Sequence, residues 1–322
     1  MSDAKEKEVL VAVNNLCKYF RIGRNKLVKA VDHISFNIYK GETLGVVGES
    51  GCGKTTCGRT VLGMYKATSG SVMFDGVDIH SMSATEKLAY KKNAQYIFQD
   101  PYASLDPRLT VGQIIGEGMD VHFKYSKEER NEQINGLLER VGLNKEHALR
   151  YPHELSGGQR QRVGIARSLA VQPEFIVCDE PISALDVSVQ AQIVNLLNDL
   201  KEDMGLTYMF ISHDLSMVKH MSDRIAVMYL GYIVEMADSE SIYDNPLHPY
   251  TRALMSAIPV ADPRAGARKR IELTGEIPSQ INTPDGCKFV NRCPYAKDIC
   301  HEAAPPIQEK SNGHLVACYE VM

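Results

Sequence analysis

The sequence lacks three features that would place it in other classes of protein: an excess of positive charge, a long apolar run and an internal repeat. Its formal net charge is -4, which argues against broad electrostatic binding to nucleic acid. No run approaches the roughly 20 apolar residues of a membrane span. Residues 1–8 are charged where a secretory signal needs an apolar segment. We therefore expect a chain that stays in the cytosol, has no membrane-crossing part and contains each motif only once.

The length and composition are typical of a soluble globular protein. The 322 residues allow one large domain with an appendage, or two domains of ordinary size. The eight cysteines are not expected to form structural disulfides, because cytosolic thiols are kept reduced. Four of the eight lie in the last 36 residues, which requires a separate explanation.

Strand and helix patterns alternate along the chain, which predicts an α/β fold. Three apolar runs without alternation are typical of strands buried on both faces of a parallel sheet: 44–47, 175–178 and 208–211. A helix is predicted over 54–64, and two further helices carry apolar stripes at helical spacing: Ile134, Leu137, Leu138 and Val141, then Ile193, Leu196, Leu197 and Leu200. The composition changes near residue 260, so we predict domains over 1–260 and 261–322.

A glycine-rich segment between the first predicted strand and the next helix fits the phosphate-loop pattern G-x-x-x-x-G-K-[ST]. Its residues, with the following threonine, are Gly48, Glu49, Ser50, Gly51, Cys52, Gly53, Lys54, Thr55 and Thr56. Glycines let backbone N–H groups surround phosphate oxygens, Lys54 neutralises the β and γ phosphates, and the Thr55 hydroxyl can bind Mg²⁺. The alternative is an ordinary glycine-rich turn.

Two carboxylates, Asp179 and Glu180, directly follow the apolar run 175–178. At the end of a buried strand, Asp179 would hold Mg²⁺ and Glu180 would polarise the attacking water. Acidic residues are common at strand ends, but the phosphate-loop pattern upstream favours the catalytic interpretation.

The segment Leu155-Ser-Gly-Gly-Gln159 resembles the signature of the ATP-binding cassette (ABC) ATPases. Gln99, the segment 183–186 and His213 stand in the expected order around it. The resemblance implies a phosphate-loop NTPase core of the ABC ATPase type, with a helical subdomain over about 100–170 and a small Cys-rich C-terminal extension.

The resemblance also implies roles for these residues. In the family two cassettes close head to tail, so Ser156, Gly157, Gly158 and Gln159 would contact ATP held by the partner cassette. His213 would contact the γ-phosphate, Gln99 would sense the Mg²⁺ ion, and Asp186 would shape the cassette interface. Phe20 is expected to stack on adenine, with Tyr19 as the second choice.

The segments 99–107, 182–190 and 248–251 and the C-terminal cysteines carry a narrower resemblance. They resemble the ATPases of oligopeptide and dipeptide importers, and among these the F-type of the two paired subunits. This resemblance implies three kinds of partner: a paralogous ATP-binding subunit, two integral membrane permease subunits and an extracytoplasmic peptide-binding protein. The chain would lie peripherally at the cytoplasmic face of the membrane. The alternatives are nickel or glutathione import and a soluble, non-transport ABC ATPase. Soluble ABC ATPases usually carry two tandem cassettes or a long coiled-coil insertion, and neither appears in this sequence.

The C-terminal cysteines are separated by five, six and seventeen residues and are Cys287, Cys293, Cys300 and Cys318. Four thiolates in a loop-rich segment indicate a soft-metal site, although the gaps differ from those of a zinc ribbon. The resemblance implies a [4Fe-4S] cluster with all four as ligands; zinc and free thiols remain alternatives. His301 and His314 lie near these cysteines and could substitute as ligands, but such histidines more often face solvent, which is what we expect. The other four cysteines are interpreted as packing residues or unconstrained loop positions: Cys17, Cys52, Cys57 and Cys178.

Overall fold

The computed structural model describes residues 7–23, 26–258, 271–273, 275, 278–281, 283, 286–311 and 313–321. The chain divides into two compact units. The helical unit comprises Met1–Glu8, Tyr39–Gly41 and Ser81–Phe210. The phosphate-loop unit comprises Val9–Ile38, Glu42–His80 and Ile211–Met322.

The strands of the described residues, in chain order, are β1 Val9–Ile22, β2 Lys26–Tyr39, β3 Thr43–Val47, β4 Ser69–Phe74, β5 Val77–Asp78, β6 Ala94–Ile97, β7 Phe175–Asp179, β8 Thr207–Ile211, β9 Arg224–Tyr229, β10 Tyr232–Asp238, β11 Gln308–Ser311 and β12 His314–Val316.

The α-helices of the same residues are α1 Lys54–Val61, α2 Ala84–Asn93, α3 Val111–His122, α4 Lys127–Arg140, α5 Gly157–Leu169, α6 Val187–Met204, α7 Leu215–Met221, α8 Ser239–Asp244, α9 Pro249–Ser256 and α10 Asp298–Glu302. Short 3₁₀ helices cover Lys145–Leu149, Pro152–Glu154 and Val290–Arg292.

The phosphate-loop unit contains two strand arrays. One has the order β2-β1-β4-β5, and the other has the order β11-β12-β10-β9-β3. Strand β3 is buried along its whole length and pairs in parallel with β9, with Leu44 opposite Arg224. The predicted buried strand over 44–47 is therefore confirmed. The predicted helix over 54–64 is too long, because α1 ends at Val61 and Gly63 turns the chain with a φ of 69°.

The helical unit has the strand order β8-β7-β6, in which β6 and β7 are parallel and Ala94 lies opposite Phe175. Strands β7 and β8 are buried throughout, as the apolar runs predicted. Helices α3, α4 and α5 pack against one another within residues 100–170. The α/β class and the helices in that range are confirmed.

The apolar stripes were predicted with partial accuracy. Ile134 and Leu138 of α4 are buried as expected, while Leu137 is half-buried. In α6 the buried residues include Ile193, Leu197 and Leu200, but Val194 takes the buried place expected for Leu196. The stripe is displaced by a fraction of a turn, which a spacing rule does not resolve.

The chain after residue 270 shares the phosphate-loop unit. Strand β12 pairs antiparallel with β10, with Val316 opposite Glu235, and β11 pairs with β12. The predicted domain boundary near residue 260 lies outside the described residues. Among the described helices, none is long and apolar enough to cross a membrane.

Candidate nucleotide-binding site

The predicted phosphate loop connects β3 to α1, the strand and helix that the motif requires. Its glycines are needed for shape: a Cβ at Gly48 would lie 2.2 Å from the carbonyl oxygen of Met228, and one at Gly53 would lie 2.0 Å from that of Ala30. Gly53 has a φ of 110° and directly precedes the helix. The loop is thus a tight curl that ends at a helix N-terminus, a geometry suited to phosphate.

The ammonium group of Lys54 lies inside this curl. Its Nζ donates to the carbonyl oxygens of Gly48 at 2.8 Å and Glu49 at 3.1 Å, and the residue is only 5% exposed. A buried cation held by neutral carbonyl oxygens is suited to a multiply charged anion. The Cys52 thiol is also buried, and this burial raises its pKa, so it serves as a neutral packing group.

Groups distant in the sequence hold the loop from outside. The backbone N–H of Glu49 donates to the hydroxyl of Tyr250 at 2.9 Å. The guanidinium of Arg292 binds both carboxylate oxygens of Glu49, at 2.8 and 3.0 Å, and the amide of Gln280 donates to the carbonyl of Gly51 at 2.7 Å. Sequence reasoning assigned none of these three residues to the site.

His213 lies just after β8, in the phosphate-loop unit. The preceding N–H, that of Ser212, donates to the carbonyl of Val46 at 3.2 Å, so His213 follows a residue fixed to the end of β3. His213 itself is exposed, and Asp214 caps α7 by accepting from the N–H groups of Ser216 and Met217. His213 is therefore an exposed residue between two neighbours, Ser212 and Asp214, that are held by hydrogen bonds.

Asp179 and Glu180 end β7 in the helical unit. Asp179 is fully buried, and the hydroxyl of Tyr96 donates to its Oδ2 at 2.5 Å. Glu180 is half-buried with a φ of 43°, a left-handed conformation that is strained for a glutamate and typical of functional sites. The Nε2 of Gln99 donates to Oε2 of Glu180 at 2.7 Å. The structure thus brings together the predicted Gln99 and Glu180 and adds Tyr96.

The predicted signature residues begin α5. Ser156 is the N-cap: its hydroxyl accepts from the N–H of Gln159 at 3.3 Å, and the Gln159 side chain accepts from the N–H of Ser156 at 2.9 Å. Ser156 and Gly157 are exposed. Gly158 packs so closely that a Cβ there would lie 2.6 Å from Cγ1 of Val189. The helix start is therefore rigid and presents its N-terminus outward.

The remaining predicted site residues lie on the surface or on β1. Asp186 is exposed and precedes α6. Phe20 is half-buried, with its ring edge-on to Tyr65 at 5.6 Å and Lys18 Nζ 4.8 Å from its centroid. The neighbouring Tyr19 is tied down instead, because its hydroxyl donates to the buried carboxylate of Asp32.

The four C-terminal cysteines lie in one neighbourhood. The N–H of Cys287 donates to the carbonyl of Cys300 at 2.8 Å. Burial, together with the nearby Cys300, Cys318 and Cys293, raises the pKa of Cys287 to about 11. Within the described residues, no three of these thiols lie within 4.8 Å of one another.

The expectations for the other cysteines and the histidines had different outcomes. Cysteines 17, 52, 57 and 178 are buried, so their interpretation as packing residues is confirmed. His301 is exposed as expected. For His314 the expectation is wrong: it is 4% exposed, and its Nε2 lies 2.7 Å from Oε1 of the fully buried Glu235. The pairing of β12 with β10 places His314 in the interior.

Comparison with known proteins decides the family. A family model described as "ABC transporter" matches residues 31–183, and one described as "Oligopeptide/dipeptide transporter, C-terminal region" matches residues 234–300. The oligopeptide transport ATP-binding protein AppF of Bacillus subtilis (strain 168) is 53% identical, covering 98% of both chains. The chain belongs to the ABC transporter family. It is an ABC-type ATPase subunit, as the signature resemblance indicated.

Further relatives and solved structures agree with this family. The oligopeptide transport ATP-binding protein OppF of Bacillus subtilis (strain 168) is 60% identical over 80% of this ABC subunit and 84% of the relative. Among solved structures, the dimeric cassette MJ0796 in a post-hydrolysis state bound to ADP and Pi has a TM-score of 0.66 and 29% identity, covering 71% of this chain and 98% of that one. Another similar structure, cbiO1 from Clostridium perfringens, has a TM-score of 0.66 and 27% identity, covering 74% and 92%.

Proposed function

We propose that this ABC subunit hydrolyses ATP to power the import of peptides, at the cytoplasmic face of the membrane. Its partners would be a paralogous ATP-binding subunit, two integral membrane permease subunits and an extracytoplasmic peptide-binding protein. The observation that carries the proposal is the near full-length identity of 53% to an oligopeptide transport ATP-binding protein. The match of residues 234–300 to an oligopeptide/dipeptide transporter region supports the same solute class.

In this proposal the loop from Gly48 to Thr56 binds the phosphates of ATP. The buried Lys54 ammonium would exchange its two carbonyl contacts for the β and γ phosphate oxygens, which are stronger acceptors because they are charged. The Thr55 hydroxyl, at the start of α1, would bind the Mg²⁺ ion. The half-buried ring of Phe20 would stack on adenine, since Tyr19 is held by Asp32.

Hydrolysis would depend on Glu180 as the group that polarises water. Its carboxylate is oriented by the amide of Gln99, and its own strained backbone fixes the position of the side chain. Asp179 would hold Mg²⁺ through its water shell, with Gln99 responding to the same ion. The exposed His213 would contact the γ-phosphate.

The exposed start of α5 would act on a second cassette. Ser156, Gly157 and Gly158 would meet the γ-phosphate of ATP bound by the partner subunit, and the helix N-terminus would supply electrostatic attraction. Gln159 would keep Ser156 in its capped geometry, and Asp186 would shape the interface. Residues 1–260 would form the nucleotide-binding domain in this scheme and residues 261–322 the Cys-rich extension.

Reconstitution of the transporter in proteoliposomes tests the transported solute. We expect uptake of labelled oligopeptides that requires external binding protein and internal ATP, and no uptake of nickel or glutathione. Uptake of nickel or glutathione in place of peptides would replace the solute while leaving the ATPase role intact. Hydrolysis that never depends on the permease subunits would contradict the transport role.

We further propose that the four C-terminal cysteines bind a [4Fe-4S] cluster. Four thiols in one neighbourhood form the donor set that such a cluster uses. A single zinc ion with Zn–S bonds of about 2.3 Å would draw the four sulfurs to about 3.8 Å from one another. Metal content therefore distinguishes the larger cluster from a single zinc ion. The cluster would cross-link a segment that is rich in proline and turn residues.

Metal analysis of protein prepared without oxygen tests the cluster. The expected result is about four irons per chain and a brown colour that is lost in Cys293→Ser or Cys300→Ser. Stoichiometric zinc without iron would replace the cluster by a zinc site, and the absence of both metals would leave four reduced thiols.

A further inference from the structure

Two residues of the C-terminal region, Arg292 and Gln280, form hydrogen bonds to the phosphate loop. Arg292 binds both carboxylate oxygens of Glu49, at 2.8 and 3.0 Å, and its Nη1 also lies 3.4 Å from the hydroxyl of Tyr229. The side chains of Arg292 and Glu49 are 7% and 21% exposed, so the pair is largely shielded from water. Gln280 adds a bond of 2.7 Å to the carbonyl of Gly51.

The segment that carries these residues is itself fixed to the cassette. Phe289 is 1% exposed, and its ring packs against Tyr229 at 5.3 Å and Tyr250 at 5.5 Å. The N–H of Lys29 donates to the carbonyl of Gln280, and Val28 forms a β-bridge with Ile281. Gln280 and Arg292 therefore each lie beside a residue that is bonded to or packed on the rest of the phosphate-loop unit.

The glycine content of the phosphate loop explains why contacts from outside would stabilise it. Gly48, Gly51 and Gly53 all have positive φ, and among the described residues, apart from its chain neighbours, none comes within 4 Å of a Cβ built on Gly51. Glycine loses more conformational freedom on ordering than any other residue. If the loop became ordered only when ATP binds, this loss of entropy would weaken the binding of ATP. Arg292 fixes orientation as well as position, because its planar guanidinium binds the carboxylate through two parallel bonds.

We propose that Arg292 and Gln280 are positioning residues of the nucleotide site, which pre-form the phosphate loop so that ATP binds without ordering it. The proposal rests on the proposed nucleotide-binding role of that loop. The C-terminal region thereby completes a site whose motif lies 243 residues earlier in the chain. Loss of either contact raises the KM for ATP and leaves the kcat of the saturated transporter nearly unchanged.

The chain offers a matched control in Lys288. Its Nζ lies 3.5 Å from Oδ2 of Asp32, and both side chains are 7% exposed. Like Arg292, it is a buried cation of the C-terminal region paired with a carboxylate of the N-terminal half, but Asp32 is outside the phosphate loop. Both Arg292→Met and Lys288→Met remove a buried ion pair, and the carboxylate partner belongs to the phosphate loop in the first pair but not in the second.

The test measures affinity for the Mg²⁺ complex of a non-hydrolysable ATP analogue, by calorimetry on the full-length chain. We expect Arg292→Met to bind about tenfold more weakly and Gln280→Ala about threefold, from the usual strengths of charged and neutral hydrogen bonds. Arg292→Lys should recover part of the loss, since it keeps the charge without the bidentate geometry. Lys288→Met should stay within about twofold of the parent. The assembled transporter then supplies KM and kcat for the same variants.

The outcomes distinguish a failure of the positioning role from a failure of the proposed nucleotide site. Equal losses in Arg292→Met and Lys288→Met, or a fall in kcat with KM unchanged, would overturn the positioning role. Lys54→Ala serves as the reference: if it loses binding while Arg292→Met does not, the positioning role alone fails, and if it binds like the parent, the proposed nucleotide site fails. Should Arg292→Met not fold, parental affinity in both Arg292→Lys and Gln280→Ala would equally overturn the proposal.

Discussion

The Nε2 of Gln99 lies 2.7 Å from the Oε2 of Glu180, so a side chain that follows β6 orients the carboxylate that follows β7. Parallel pairing of these strands places their carboxyl ends at one edge, which is why residues 81 apart in sequence meet. The backbone of Glu180 is held at a φ of 43°. The carboxylate is thus fixed by its own strained backbone and by one neighbouring amide.

Gln99→Ala should slow hydrolysis more than it weakens ATP binding. Without the amide, Glu180 samples other orientations, so we expect kcat to fall about tenfold with a small change in KM. Gln95→Ala is the matched control, because Gln95 lies on β6 but donates to the carbonyl of Lys91. Steady-state hydrolysis by the assembled transporter gives both constants, and equal rates for the two variants would remove Gln99 from the positioning of Glu180.

Gly157→Asp should obstruct hydrolysis at the partner's site while sparing nucleotide binding to this chain. Among the described residues, a Cβ at Gly157 would meet Leu185 at an ordinary 3.5 Å, and an aspartate in the first turn of α5 suits the helix dipole. Its charge would repel a γ-phosphate brought to the helix start. Gly158 is a poorer choice for this test, because any side chain there collides with Val189.

Mixed complexes with one altered cassette locate this defect. Gly136→Asp provides the control, since Gly136 is an exposed glycine of α4 with open space around it. A loss confined to the altered chain's own phosphate loop would contradict the head-to-tail arrangement.

Acid should destabilise the fold partly through His248. Burial lowers the pKa of this histidine from 6.5 to about 4, and its Nδ1 accepts from the N–H of Tyr250 at 3.0 Å. Because the unfolded chain binds the proton more readily, stability is retained above about pH 6.5 and falls as the pH drops towards 4. The expected loss is roughly 3 kcal/mol.

His248→Asn should reduce this pH dependence, because asparagine can accept the same N-cap bond but does not titrate in this range. Urea unfolding of the parent and the variant between pH 8 and pH 4 provides the comparison. As the pH falls from about 6.5 towards 4, the parent should lose more unfolding free energy than the variant. Parallel curves would show that His248 does not contribute.

Local features of the site could be predicted from the sequence, because each depends on neighbours along the chain. The strand before Gly48 and the helix after Gly53 are both confirmed. These features follow from apolar runs and turn glycines within a few positions of one another. Family resemblance then added roles that spacing alone does not supply.

Long-range contacts could not be predicted in the same way. Arg292 pairs with Glu49 across 243 residues of sequence, and the hydroxyl of Tyr250 accepts from the N–H of Glu49 across 201 residues. No periodicity in the sequence identifies partners at such separations. For the buried His314 a signal was present: His314 and Val316 occupy alternate positions of a strand, which share one face. Glu235, a charge inside the apolar strand β10, was the corresponding sign of a buried partner.

The most direct test of the transport ATPase is Glu180→Gln in the reconstituted transporter, with the partner subunit's own site made catalytically silent. The substitution keeps the size of the side chain and removes the group that polarises water. We therefore expect near-parental affinity for ATP, at least about 100-fold slower hydrolysis, and peptide uptake lost in parallel. Parental hydrolysis and uptake by the Glu180→Gln transporter would contradict the account.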